Sequence, residues 1–345
     1  MPAHKGKAIY LKSFPNGLPR KEEFELRDYE APAPGDGEVQ IRAIWMTVDP
    51  YMRGRMRPDV KSYIPPFSLD APLDGGVVGE VIESKSDAFK PGDHVVSFMG
   101  GWRSYATISA GVAQKVDAKL APLSAYLGVL GMPGLTAWSG LNQILKPQAG
   151  ETVFVSGAAG AVGSLVCQLA KLKGARVIAS AGSKEKCDWL LKEGGADVAL
   201  NYKDYKNAAE LSKALAEAAP NGINCYFENV GGMHFEAALN NIAFFGRIAM
   251  CGMISMYNMT EAEPVPAAIA NVIARSVLMQ GFIVSNYFNL APQFAAEVAP
   301  LLAQGKIKFR ESVYEGLEKA PDAFLGLFKG ENFGKAVVRA VPDKA

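Results

Sequence analysis

Between residues 153 and 171 the chain reads VFVSGAAGAVGSLVCQLAK. An apolar, β-rich run ends in a turn of small residues, and a helical pattern begins at once. In GAAGAVG, Ala158, Gly160 and Gly163 occupy the three positions of a G-x-G-x-x-G turn, with alanine replacing the first glycine. Gly160 lets a pyrophosphate approach the backbone, and Gly163 lets helix and strand pack closely. The free N–H groups and dipole of the new helix then face the phosphates. A merely tight glycine-rich corner has the same letters, so the setting of the turn decides its meaning.

That setting is an alternating series. From about residue 123, six apolar β runs (TVFVSG, RVIASA, DVALNY, NCYFENV, RIAMCG and LMQGFI) are separated by helical patterns. AVGSLVCQLAKLKG, KEKCDWLLKEGG and HFEAALNNIAFFG are three of these patterns. Alternating strand and helix predicts an α/β domain over 123–305, a doubly wound parallel sheet of six strands that binds a dinucleotide. Residues 1–122 read differently. KAIYL, GEVQIRAIWMTVD, GGVVGEVIES, DHVVSF and SYATIS are short β runs between turns such as APAPGDG and KPGD. They predict a small barrel or sandwich. A further β run, a helix and another β run over 306–345 return to that first domain.

The second strand of the series bears on the cofactor. A site for NAD places Asp or Glu about twenty residues beyond the turn, on the ribose 2′-hydroxyl. Here the segment is VIASAGSKEK, with Lys184 and Lys186 and no carboxylate before them. Lysines pair with a 2′-phosphate, which favours NADP. Lys186 is the better placed, because Lys184 lies near the helix cap.

Composition narrows the function classes. The 345 residues carry 36 Lys+Arg against 35 Asp+Glu, a net charge of +1. No basic excess points to nucleic acid or to an anionic membrane surface. The apolar stretch around 264–284 is broken by Asn271, Arg275 and Gln280, unlike a membrane span. MPAHKGKAIY lacks a signal-peptide core. Cys167, Cys187, Cys225 and Cys251 are widely spaced and form no C-x-x-C. A reducing, cytoplasmic setting is the expectation.

The order of parts resembles the medium-chain dehydrogenase/reductase superfamily, which implies a GroES-like β domain followed by a Rossmann domain. Zinc alcohol dehydrogenases of that superfamily carry G-H-E in the first domain. Here the stretch is LDGGVVGEV, with Gly75 and Gly76 where His and Glu would stand. His4, His94 and His234 form no ligand cluster, and no cysteine precedes Cys167, so no catalytic metal is expected. TVDPYMRGRM, GMPGLTAW, YFENVGG, CGMISMYN, MQGFIV and GENFGKAVV together resemble the zinc-independent alkenal/one oxidoreductases. That group includes prostaglandin reductases, plant double-bond reductases and bacterial curcumin reductases.

The resemblance implies a site, residue by residue. Ala159, Gly160, Ala161, Val162 and Gly163 match the pyrophosphate turn. Lys186 and Tyr202 match the 2′-phosphate end, and Asn229 matches a residue lining the cofactor cleft. The loop from Cys251 to Tyr257, including Gly252, Ile254 and Ser255, matches the nicotinamide side. Phe282, Ile283 and Val284 match the segment facing the carboxamide, and Asn332 matches a contact from the returning tail. Tyr257 matches the tyrosine that hydrogen-bonds the substrate oxygen, and Tyr51 a first-domain tyrosine facing the same pocket.

Each residue has a plainer alternative. Tyr257 also reads as a loop aromatic and Tyr51 as a core ring. Arg53 and Arg55 read as surface or interface charges, and Cys251 as a packing residue. Met250, Met253, Met256 and Met259 read as a core stripe or as a soft pocket wall.

The expected reaction follows from the missing metal. Direct carbonyl reduction localises charge on oxygen. Hydride addition to the β-carbon of an enone gives a delocalised enolate, which a few hydrogen-bond donors stabilise. The expectation is an NADP(H)-dependent enone or enal reductase acting on a small molecule. A quinone reductase of the same architecture and a non-catalytic NADPH-binding protein are the rivals. SVLMQGFIV (276–284) reads as an apolar edge strand, which predicts a homodimer.

Overall fold

The computed structural model describes residues 4–340. The first three residues of the segment read for a signal peptide, and the end of the returning tail from 341, lie outside the described residues. The chain divides into two units, one running to Gly128 and resuming at Glu311, the other spanning Val129–Arg310.

In the second unit the six apolar runs form one parallel sheet. Its strands are β1 (Thr152–Val155), β2 (Arg176–Ala181), β3 (Val198–Asn201), β4 (Ile223–Glu228), β5 (Ile242–Met250) and β6 (Leu278–Gly281). Their spatial order is β3-β2-β1-β4-β5-β6, the doubly wound arrangement. Every residue of β1 is buried, as a strand covered on both faces requires. Helices α1 (Gly163–Leu172), α2 (Lys184–Lys192), α3 (Ala208–Ala218) and α4 (Gly232–Asn241) supply the cover. Phe154 of β1 stacks on Tyr226 of β4 with ring centroids 5.0 Å apart, in a core shared with Leu211, Leu215 and Phe235. Order reverses between β1 and β4, so the crevice opens at their carboxyl ends, where both site turns leave the sheet.

One helical expectation is corrected. HFEAALNNIAFFG does not stay helical to its end. The helix stops at Asn241, and Ile242 already begins β5. The β-branched Ile242 is fully buried while Phe244 and Phe245 are 70% and 73% exposed. Strand pairing to β4 decides the conformation there, over a pattern that also fits a helix.

The first unit is antiparallel around Glu38–Thr47, which pairs with Val77–Ser84, Tyr105–Ser109 and Lys335–Arg339. Glu311–Glu315 runs parallel to Lys335–Arg339 at the sheet's end. Two strands were not legible beforehand. Phe24–Ala31 alternates exposed Leu26, Asp28 and Glu30 with half-buried Glu25, Arg27 and Tyr29 and, among the described residues, pairs only with His4–Leu11. Ala113–Lys115 is three residues long. Trp102, Phe24 and Phe324 lie 6.2 Å apart pairwise at the heart of this unit's core. Among the described residues no helix is long and apolar enough to cross a membrane.

Candidate active site

The glycine turn leaves β1 as expected, but the left-handed residue is one place earlier than the motif suggests. Gly157 has φ of +58°, and its carbonyl accepts the Gly160 N–H at 3.0 Å. A side chain at Gly157 is therefore strained, and Ala158 is tolerated because it is not the turning residue. Ala158 instead donates its N–H to the Ser180 carbonyl of β2 at 2.9 Å, which fixes the turn against the sheet. The first i→i−4 bond runs from Ser164 N–H to Gly160 O at 3.1 Å. The amides of Ala161, Val162 and Gly163 precede it, at a helix end suited to an anion.

Gly163 shows why the last glycine is needed. A Cβ there would lie 2.5 Å from the Gly157 oxygen and 2.8 Å from the Ala158 Cα. Both are backbone atoms, so neither yields cheaply. Gly163→Ala is expected to destabilise the unit by about 1–3 kcal/mol through overpacking. Chemical denaturation checks this; a variant as stable as the wild type contradicts the close contact.

At the end of β2, Ser183 caps α2 by accepting the Lys186 N–H at 3.3 Å. Lys184 pairs with Asp188 at 2.6 Å and is 86% exposed, so its charge is already answered. Lys186 is half-buried. Burial depresses its pKa, Lys203 adds to the depression, and Glu185 opposes it. Two ammonium groups thus share one neighbourhood that an anion would relieve. Tyr202 completes it: a Cβ on Gly182 would lie 2.9 Å from the Tyr202 hydroxyl, and the ring stands edge-on to His234 at 5.0 Å. Lys203 was missed in the sequence, although it stands next to Tyr202 in NYKDY. This environment fits the 2′-phosphate of NADP.

The 229–232 turn and the 251–257 loop are held by Glu228, the last residue of β4. Its Oε1 accepts from Val230 N–H at 2.6 Å, Gly231 N–H at 2.9 Å and the Ser156 hydroxyl at 2.9 Å. Its main-chain oxygen accepts from the amides of Cys251 and Gly252 at 3.0 and 3.1 Å. Asn229 donates its side-chain amide to Ser156 O at 2.7 Å and accepts the Ile254 N–H at 3.2 Å. Ser255 donates its hydroxyl to Val230 O at 2.6 Å. These bonds tie three segments together: the glycine turn, the 228–232 turn and the 251–257 loop.

Met250, Cys251, Gly252, Met253, Gly281, Phe282, Ile283 and Asn286 line a cavity of about 400 Å³. Two of the four methionines, Met250 and Met253, form its wall; Met256 and Met259 do not. The Tyr257 hydroxyl stands over Gly252, 2.9 Å from where a Cβ would be, and accepts the Met253 N–H at 3.4 Å. Burial raises its pKa, the Met253 bond opposes, and Cys251 and Glu228 add to the rise. At neutral pH it is a protonated donor. Burial and Glu228 push the Cys251 thiol up to about 12, so it is a packing thiol and not a nucleophile. Val284 opens the 3-10 turn Val284–Leu290 and does not itself line the cavity, although Asn286 of the same turn does.

In the first unit, Tyr51 lies on the 3-10 helix Pro50–Met56, its ring packed against that unit's core. Burial and Asp49 raise its pKa, and Arg55 opposes them. Asn332 donates its amide to Gly334 O at 2.8 Å, across a turn where Gly334 has φ of +69°. The reading of Arg53 as a surface charge is corrected. It is 2% exposed and donates to the Gly17 carbonyl at 2.7 Å, anchoring the 15–17 turn. Arg55 lies over the Phe67 ring at 4.0 Å and donates to Pro65 O at 3.0 Å. The glycines at the zinc-ligand positions are filled in. A side chain at Gly75 would strike the Met52 methyl, and one at Gly76 would meet the Thr47 methyl at 3.1 Å. Among the described residues no group of three or more His, Cys, Asp or Glu could hold a metal.

Two family models match the chain: an N-terminal domain of oxidoreductase over residues 7–116, and a zinc-binding dehydrogenase domain over residues 161–303. A putative NADP-dependent oxidoreductase, YfmJ of Bacillus subtilis, is 48% identical over 96% of both chains. This chain belongs to the medium-chain dehydrogenase/reductase superfamily. A 2-alkenal reductase (NADP(+)-dependent) of Nicotiana tabacum is 43% identical over 96% of both chains, within the alkenal/one oxidoreductase group. The solved structure of CurA in complex with NADPH from Vibrio vulnificus superposes with a TM-score of 0.91, at 41% identity, over 98% of this chain and 100% of that one. The architecture is therefore a GroES-like β domain with a Rossmann domain.

Proposed function

We propose that this protein is an NADPH-dependent reductase of the carbon–carbon double bond of α,β-unsaturated ketones and aldehydes, working without zinc. One observation carries the reading: a protonated, half-buried Tyr257 stands beside a mostly apolar cavity, on a loop tied through Asn229 and Glu228 to the dinucleotide turn. The relatives named above support it. The NADP-binding domain is assigned to residues 123–305 and the GroES-like domain to 1–122 with 306–345, bounds within six residues of the two units described above.

NADPH, when bound, supplies the hydride that adds to the substrate β-carbon. Lys186, Lys203 and Tyr202 hold its 2′-phosphate end. Ala159, Gly160, Ala161, Val162 and Gly163 hold the pyrophosphate, and Asn229, Phe282, Ile283, Val284 and Asn332 orient the rest. The apolar wall excludes water and seats the carbon chain of the substrate. The Tyr257 hydroxyl donates a hydrogen bond to the substrate carbonyl oxygen, where charge grows as the enolate forms, and a proton taken up from solvent at the α-carbon completes the saturated product. This reading also assigns Tyr51 a role toward the substrate. The test is NADPH oxidation across a panel of enals, enones, quinones and alcohols. Enones and enals should be turned over fastest; a preference for quinones would favour the quinone-reductase reading, and no turnover a binding protein.

A homodimer in the cytoplasm is part of the same proposal. Among the described residues strand β6 pairs only with β5, and all four of its residues are exposed. Leu278 is 53% exposed, and Ile273, Phe244 and Phe245 add apolar surface at that edge. An open apolar edge is covered by a second copy related by a two-fold axis. Light scattering at micromolar concentration should give twice the 36.9 kDa chain mass. A monomer mass would remove the dimer from the account.

A further inference from the structure

The motifs TVDPYMRGRM and GENFGKAVV contain a charge pair that the proposed reaction does not use. Lys335 and Asp49 are 4% and 6% exposed. The Lys335 ammonium has three donors and three acceptors: the Val48 carbonyl at 2.8 Å, the Ala336 carbonyl at 2.8 Å and Asp49 Oδ1 at 3.1 Å. The other Asp49 oxygen accepts the Thr47 hydroxyl at 2.6 Å. Glu311 is the second carboxyl near the ammonium, paired with Lys335 across parallel strands and bonded by the Ser124 hydroxyl at 2.8 Å.

We propose that Lys335 is a positioning residue that aims Tyr51. The ammonium grips Val48 and Asp49, the two residues immediately before the 3-10 helix Pro50–Met56 that carries Tyr51. It opens the strand Lys335–Arg339, three residues after Asn332. A buried ion pair is often no more stabilising than an apolar pair of similar volume. What an apolar pair cannot supply is direction, because the ammonium draws three named oxygens to one point. The Thr47 hydroxyl holds Asp49 from its far side, so the helix start has little freedom to rotate. The methyl of Thr47 also closes the space at Gly76, so the pair stands beside one of the positions where zinc enzymes carry a ligand.

This rests on the role given to Tyr51 in the proposed reading, and the test separates the two. Asp49→Asn keeps size and polarity, Lys335→Arg keeps the charge but not the point geometry of the ammonium, and each is compared with Tyr51→Phe and with the Asp49→Asn/Tyr51→Phe double variant. Thermal melting, kcat and KM for an enone, and hydrogen exchange of residues 48–56 are measured. Asp49→Asn is expected to lower kcat/KM roughly tenfold, as weakening one charge-assisted contact does. Tyr51→Phe should then cost little more, since coupled residues are not additive. Exchange should quicken in residues 48–56. Full additivity, a silent Tyr51→Phe, or kinetic constants within about twofold of wild type beside a lowered melting point would overturn the proposal. A wild type that reduces no enone refutes the proposed function instead, and exchange in residues 48–56 then decides the positioning alone: unchanged exchange overturns it.

Discussion

Tyr257→Phe is expected to lower kcat by about thirtyfold to a thousandfold, the loss of 2–4 kcal/mol that follows removal of a donor whose bond strengthens in the transition state. The substitution deletes one oxygen and leaves the ring. That oxygen meets the Met253 N–H at 3.4 Å, a long bond whose loss disturbs the loop little. NADPH affinity should therefore stay within about twofold, because the groups assigned to the phosphates lie on other turns. The raised pKa has a consequence for pH. Tyr257 keeps its proton above the range where an ordinary tyrosine loses it, so kcat should stay level up to the ordinary phenol pKa of about 10. Steady-state kinetics and a fluorescence titration check the split. A large rise in the NADPH dissociation constant with kcat intact would move Tyr257 from the reaction to the cofactor.

Lys186→Ala is expected to weaken NADPH binding by roughly tenfold to a hundredfold and leave NADH binding nearly unchanged. Only NADPH carries the 2′-phosphate. The depressed pKa of Lys186 gives this prediction a pH signature. The phosphate binds the charged amine best, so NADPH affinity should fall as pH rises through the Lys186 pKa. That pKa lies below the usual lysine value because of burial and Lys203. NADH affinity should stay level over the same range. Lys203→Ala should act in the same direction, with a smaller loss because Lys203 is a neighbour and not the capped helix residue. Equal affinity of the wild type for the two cofactors would remove the argument for both lysines.

The parallel sheet was legible because its central strands β1, β2 and β4 are buried on both faces and read as continuous apolar runs closed by small residues. The charged strand Phe24–Ala31 was not, because its partner is one hairpin strand and only its two end residues are buried. In the candidate site, the glycine turn and the 251–257 loop were legible from their letters. The residue that makes the turn was not: Gly157 is set by its φ, and the motif's first position falls on Ala158. Lys203, Glu228 and the Lys335–Asp49 pair escaped for a shared reason. Each acts on something distant in sequence, and spacing along the chain carries no trace of that. Arg53 escaped for a different one: a charged side chain among turn residues reads as solvated, and only the fold shows the carbonyls of Pro15 and Gly17 closing over it.

The central claim is that the carbon–carbon double bond is reduced and the carbonyl is left, without a metal. The most direct measurement is product analysis by mass spectrometry and NMR after incubating the protein and NADPH with an enone, with and without a strong chelator. The account predicts the saturated ketone as the main product and the same rate in both samples. An allylic alcohol as the main product, or activity lost on chelation and restored by zinc, would contradict it.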